Sequence, residues 1–471
     1  MRYWGSVLAL GVTVGCGLLA CGGHEGATGR ASAPSVSAAA SYGIPDARTR
    51  FEIQKAIVLE KLSVALPAAM RAHGVDMWIV LDRENAPDPV HDQIGGGYSG
   101  VRAAFIFFDR GGDGIEKIYY GSHEQPANSV IAQVYDEKKY YGYSKEGLIP
   151  LLREAVLKRN PKRIGVNTSF TLPDADGLTV GLRDFLVETI GAAYAKRIVS
   201  AELVVRDFRT HRTPLETKFY RQLLAWTARW ETEALNHIKR GQTTAEDLAW
   251  WLEDRALELG VTGSGEPRVV RAGDLQPLNA AIPIQGGDIV SIDGGLRCLD
   301  YETDIKRAAY VLKPGEVGPP ASIGKAWEDT LKVADLYASK LVPGAVGHQV
   351  WEDLMERTKK LGYAVAYPDS GAVAASTTRA EVGVYGHSVG NVEHEIGARI
   401  AQDWPFAYGD RVRFALVDGE WESVEFHVST PIPEWGGKTW YARYEETAQV
   451  RAGGAAWMIP RQERLLVVKG D

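Results

Sequence analysis

The chain has 471 residues, 45% of them hydrophobic and 24% charged, which excludes a single small module, a mainly disordered chain and a disulfide-stapled miniprotein. With 53 Lys and Arg against 60 Asp and Glu, the net charge of −7 argues against a general nucleic-acid binder, because that function needs a basic surface to displace counterions. Residues 1–20 hold Arg2 and then an uncharged apolar stretch, the pattern of a signal peptide.

The end of that stretch, Leu18-Leu19-Ala20-Cys21, resembles the lipobox of bacterial lipoproteins. The resemblance implies cleavage before Cys21, lipidation of Cys21, and a chain held to the membrane by its lipid on the periplasmic side or the cell surface. A plain secretory signal is the rival reading. Cys298 is then the only other cysteine of the processed chain, so no intrachain disulfide is available. Residues 21–46 are rich in Gly, Ala and Ser, too poor in apolar surface to fold, and read as a flexible tether.

Residues 47–212 alternate between helical and strand-like patterns. Ile53, Ile57, Leu59, Leu62, Leu66 and Met70 mark a helix over Phe51–His73. The runs MWIVL (Met77–Leu81), AAFIFF (Ala103–Phe108), KIYYG (Lys117–Gly121) and RIGVN (Arg163–Asn167) predict strands, with a helix over Gly147–Lys158 between the last two. This is an α/β domain. The glycine-dense Gly95–Gly100 lacks the spacing of a phosphate loop and reads as an ordinary loop.

Residues 213–471 change to long helices followed by hairpins. Thr244 with Asp247 predicts a helix start, Leu248, Leu252, Ala256 and Leu259 mark its apolar face, and Gly260 is its stop. Ile238–Gly260 is echoed by Leu341–Gly362, with Trp and Leu at matching depth; duplication and shared helix grammar account for the echo equally well.

The chemistry-bearing residues follow Gly286. Asp293 ends the apolar run GGDIVSID, and Asp304 follows eleven residues later in a second strand-like run. His387 sits among small residues in GHSVG, while Glu425 and Glu445 lie inside the strand-like runs SVEFHV and ARYEETAQV. Each alone is ordinary: a turn Asp, a core His, a solvated Glu. Together the four carboxylates and one imidazole supply ligands for two hard-to-borderline divalent cations.

This ordered set resembles the metallopeptidase family of methionine aminopeptidase, Xaa-Pro aminopeptidase, prolidase and creatinase, with its pita-bread fold. His394, seven residues after His387, and Arg443, two before Glu445, also match. The earlier α/β region resembles the N-terminal domain of the creatinase, prolidase and Xaa-Pro aminopeptidase branch. The implied fold is therefore an α/β creatinase-like N-terminal domain and an α+β pita-bread catalytic domain. By the resemblance, Asp304 and Glu445 bridge two metal ions, manganese first with cobalt, zinc or iron as alternatives. Asp293 completes one metal, and His387 with Glu425 the other. A water held there is the nucleophile, Glu425 moves its proton, His394 steadies the carbonyl or oxyanion, and Arg443 orients a ligand.

The implied substrate is a small peptide, cut near its free N-terminus, with Xaa-Pro as the leading class. A non-peptidase C–N hydrolase and a non-catalytic surface binding protein are the alternatives. Homo-oligomers are common in this branch, though no interface is legible. Two positions depart from the pattern: Ile284 follows Pro283, and Gly383 stands four residues before His387, where relatives place histidines. The long interval after His387 leaves Glu420 and Glu422 as rivals of Glu425, which is preferred for its apolar strand.

Overall fold

The run MWIVL folds as a strand because its β-branched, aromatic and aliphatic side chains can fill both faces of a covered sheet. In a computed structural model describing residues 38–272, 278–366 and 379–470, it is the strand Met77–Asp82, buried at every position. It lies inside a six-stranded sheet ordered Glu137–Tyr140, Ile115–Gly121, Ala103–Asp109, Met77–Asp82, Ile164–Val166, Ile198–Ser200. Trp78 and Val80 pack into one core with Leu62, Leu66 and Met70 of the helix Ala47–Ala72. Met77, Ile79 and Leu81 pack into the opposite core with Leu152 and Leu186 from the helices Ile149–Arg159 and Val180–Ile190. The period-2 alternation thus serves two cores rather than one.

Residues 38–46, expected as part of a flexible tether over 21–46, are ordered and packed instead. Ala38–Tyr42 is a short helix, and Tyr42 and Ile44 are buried in the core built around the helix Pro214–Asn236. The Arg229 guanidinium lies 3.9 Å from the centre of the Tyr42 ring and donates to the Ser41 carbonyl at 2.7 Å. Two apolar anchors at the end of an Ala/Ser run suffice to fix it, which an average over the segment hides. Residues 1–37, with the signal and Cys21, lie outside the described residues.

Beyond Thr213 the order helix, helix, strands occurs twice. Pro214–Asn236 starts with a capping box of Thr213 and Glu216, and Ala245–Leu259 with one of Thr244 and Asp247. Leu248, Leu252, Ala256 and Leu259 are buried as the spacing predicts, and Gly260 closes the helix at φ 69°. The strands Thr262–Val270, Ile289–Cys298 and Ile305–Val311 follow as an antiparallel ladder. The second helix pair is Ala321–Ala338 and Gly347–Lys360, so the echoed segments contribute the second helix of each pair.

Two further sheets complete this half. One is ordered Ala364–Val365, Glu381–Val384, Phe426–Pro431, Thr439–Tyr444; the other is His387–Ser388, Trp421–Ser423, Thr447–Gln449, Ala456–Trp457. The chain passes between them at Tyr385–Gly386, Val424–Glu425 and Glu445–Glu446. Glu425 and Glu445 therefore sit at strand breaks, not inside strands as their apolar neighbours suggest. A break is where a carboxylate can leave the ladder and reach a cavity.

Candidate metal centre

Asp293 lies in the middle of Ile289–Cys298, paired across the ladder with Lys306 of Ile305–Val311. Asp304 directly precedes that second strand, two residues from Lys306, so all three side chains share a face. The glycines after Asp293 allow close backbone approach within a strand. A Cβ on Gly294 would stand 2.5 Å from the Ser264 carbonyl oxygen, and one on Gly295 would stand 1.7 Å from that of Thr303. On the other wall, His387 opens the strand His387–Ser388, and Glu425 and Glu445 project from two strand breaks.

The structure brings all five expected ligand residues together. Ligand atoms of His387, Glu425 and Glu445 lie within 4.8 Å of one another, as do those of Asp293, Asp304 and Glu445. The His387 Nε2 is 3.8 Å from Asp304 Oδ2, 3.8 Å from Glu425 Oε2 and 3.7 Å from Glu445 Oε1. Its Nδ1 donates to the Ser388 carbonyl at 3.1 Å, which leaves the Nε2 lone pair aimed at the carboxylates. That Nε2 is buried without a hydrogen-bond partner. These separations are too long for hydrogen bonds but are spanned by two metal–ligand bonds of about 2.0–2.2 Å each. One imidazole and several carboxylates suit a divalent cation of borderline-to-hard character, so the residues fit the expected metal.

The electrostatics point the same way. Loss of water holds His387 well below its ordinary value, and the neighbouring His394 adds to this, so the imidazole is neutral. Burial pushes Asp304 well above the usual carboxylate range, and Glu445 beside it adds to the push. Burial also raises Glu445, to about 8, against the pull of Lys306. Burial would raise Glu425 as well, but Lys306 and His387 outweigh it and hold that carboxyl at about 2. A cluster in which two carboxylates resist ionisation is short of positive charge.

Arg443 donates to Asp293 Oδ2 at 2.6 Å. The His394 ring lies 4.4 Å from that of His387 at 75°, because the chain bends over 390–394 and undoes the odd strand spacing. His394 lines an open cavity of about 330 Å³ together with Asp293, Asp304, Lys306, Glu393 and Glu425. Glu420 and Glu422 stay outside the cluster. Glu420 accepts from the backbone N–H of Val417 and Ala398, at 2.9 and 3.1 Å. Both Glu422 oxygens are buried without a partner, and burial raises its pKa well above the carboxylate range.

Ile284 is a core residue, fully buried. At Gly383 the space a side chain would take is filled by an imidazole from the facing strand. His427 pairs with Gly383 in register, and its Cε1 would meet a Cβ there at 2.3 Å. Its ring stacks 4.0 Å from Tyr441, and its Nδ1 is 2.6 Å from the Tyr385 hydroxyl. Sequence reasoning missed this residue, yet the signal was present: His427 lies two residues after Glu425 in the same run SVEFHV. It also passed over Lys306, the cation at the centre of the cluster.

Residues 218–452 match the model of Metallopeptidase family M24. No curated protein sequence matches the chain. Among solved structures, the X-Pro aminopeptidase from Thermotoga maritima MSB8 is similar at 16% identity and a TM-score of 0.61, over 85% of this chain and 100% of that one. The prolidase from Pyrococcus horikoshii OT3 is similar at 16% identity and a TM-score of 0.56, over 86% and 100%. The dipeptidase PepE from Mycobacterium ulcerans gives 16% and 0.57, over 88% and 99%. At such identity these likenesses concern the fold. It is the pita-bread fold of the M24 proteins behind an α/β domain, and the likeness runs well beyond the matched 218–452 into the six-stranded sheet.

Proposed function

We propose that the chain is a metal-dependent hydrolase that cleaves peptide bonds near a free N-terminus, with Xaa-Pro peptides as its leading substrates. The observation that carries this reading is the orphaned His387 Nε2 facing Asp304, Glu425 and Glu445 at the edge of an open cavity. A divalent cation bound by these residues would polarise the scissile carbonyl and activate water. Glu425, which stays ionised, accepts the proton of the attacking water and hands it to the leaving nitrogen. His394, at the cavity rim, donates to the oxyanion. The stacked rings of Tyr385, His427 and Tyr441 are the aromatic group this reading assigns to contact an apolar ring such as proline. Manganese is the metal to offer first. The reading includes export and a lipid anchor at Cys21.

A peptide-library digest with the purified processed chain and added manganese tests the activity. Removal of one N-terminal residue, favoured before proline and blocked by N-acetylation, is expected. Metal-loaded protein that cuts no peptide, but hydrolyses other C–N bonds or nothing at all, sinks the reading.

A further inference from the structure

Lys306 is an unusual neighbour for a metal cluster. Its ammonium is buried and lies among the carboxylates rather than beside them: 2.8 Å from Glu425 Oε1, 3.2 Å from Asp293 Oδ1, and in contact with Glu445 Oε2. The strand pairing fixes it there, since Lys306 stands directly across from Asp293 and two residues from Asp304.

The two oxygens of each glutamate divide between two positions. Glu425 offers Oε1 to Lys306 and Oε2 towards His387. Glu445 offers Oε2 to Lys306 and Oε1 towards His387. Both glutamates thus bridge, one end on the ammonium and the other on the position faced by the orphaned imidazole. Both oxygens of Asp293 already face a cation, Oδ1 towards Lys306 and Oδ2 accepting from Arg443 at 2.6 Å, whereas Glu445 Oε1 meets only the neutral Ser423 hydroxyl besides facing His387. The charges agree with this division. Asp293, Asp304, Glu425 and Glu445, when ionised, are half balanced by Lys306 and Arg443, and one divalent cation makes good the rest. A second would leave a buried excess of positive charge, which a low-dielectric site tolerates poorly.

We infer that this centre takes a single divalent cation, held by His387, Asp304, Glu425 and Glu445, and that the Lys306 ammonium permanently occupies the place of a second. Asp293 is then a partner of Lys306 and Arg443 instead of a ligand. The inference rests on the metal-dependent reading above but not on any substrate.

The test is metal stoichiometry. Protein stripped with chelator, reloaded with excess manganese and desalted should contain one equivalent per chain by mass spectrometry. Lys306→Ala, which opens the position and frees one oxygen each of Asp293, Glu425 and Glu445, should double that to two. Lys306→Arg, which keeps the charge, should stay at one. In case Lys306→Ala fails to fold, the wild type decides by electron paramagnetic resonance: an uncoupled six-line manganese spectrum is expected. Two equivalents or an exchange-coupled spectrum in the wild type would overturn the inference, as would no bound metal, or one equivalent in folded Lys306→Ala. The count is read without substrate. Peptide cleavage with two metals would therefore sink this inference alone, and one metal without peptide cleavage would sink only the functional reading.

Discussion

His387 and His394 present their rings 4.4 Å apart, yet their removal should have different consequences. His387 Nε2 is buried and directed at three carboxylates, so His387→Ala should weaken metal binding by more than the roughly 10–100-fold that loss of an outer partner costs. His394 stands at the solvent-facing rim. As an oxyanion donor, its loss in His394→Ala should lower turnover on the order of 10²–10³-fold with metal content unchanged. Metal analysis beside kcat separates the two. Because His394 also falls within reach of Asp304 and His387 as a potential ligand group, loss of metal in His394→Ala would make it a ligand; unchanged turnover would remove it from the reaction. At this scale the sequence was informative about residue type and order. It was blind to Lys306, because a lysine after Asp-Ile in an apolar strand reads as an edge residue until the facing strand puts Asp293 opposite it.

The bend carrying His394 is held by an ion network reaching back to the first half of the chain. Glu395 is buried between Arg209 and Arg212, with contacts of 2.8 and 3.4 Å, and accepts from the Asn391 and Ile396 backbone N–H groups. Arg212 continues to Glu216, which Lys61 also contacts at 2.8 Å. Burial alone would raise Glu395, but Arg209 and Arg212 prevail and hold it at about 2. A carboxyl depressed on folding stabilises the protein fully above its unfolded value near 4.5, and that contribution fades as pH falls through about 2. Glu395→Gln should therefore cost roughly 3 kcal/mol at neutral pH and about half of that at pH 3. Denaturant midpoints of both proteins across that range check it; a gap independent of pH would mean the network does not hold Glu395 ionised. Individual elements were legible, since Met77–Asp82 is a short continuous apolar run and Ala245–Leu259 follows its apolar period closely. The network was not, because Lys61 and Glu395 lie about 150 and 180 residues from the Arg209–Glu216 segment and all of these read singly as solvated surface charges.

At the scale of the whole molecule, the two architectures could be told apart in the sequence because alternating short apolar runs give way to long helices after Thr213. That residues 38–46 are packed could not be read, because Tyr42 and Ile44 join a core built largely by a helix that begins at Pro214. How the molecule meets a membrane is a separate matter. Among the described residues, no helix is long and apolar enough to cross a bilayer. The proposed route to a membrane is instead the lipidation of Cys21 after Leu18-Leu19-Ala20. An acyl chain contributes about 0.8 kcal/mol per buried CH₂ group, so one chain binds reversibly and stable anchoring takes two membrane signals. Expressed in a bacterial host, the wild type should incorporate a fatty-acid probe, begin at Cys21 after processing and partition into the detergent phase. Cys21→Ser should incorporate no probe and keep its first 20 residues. The informative readouts for that variant are label and N-terminal sequence, because an uncut apolar segment can itself hold the protein at the membrane. A wild type that is cut, unlabelled and wholly in the aqueous phase would mean a plain secretory signal and an enzyme released from the membrane.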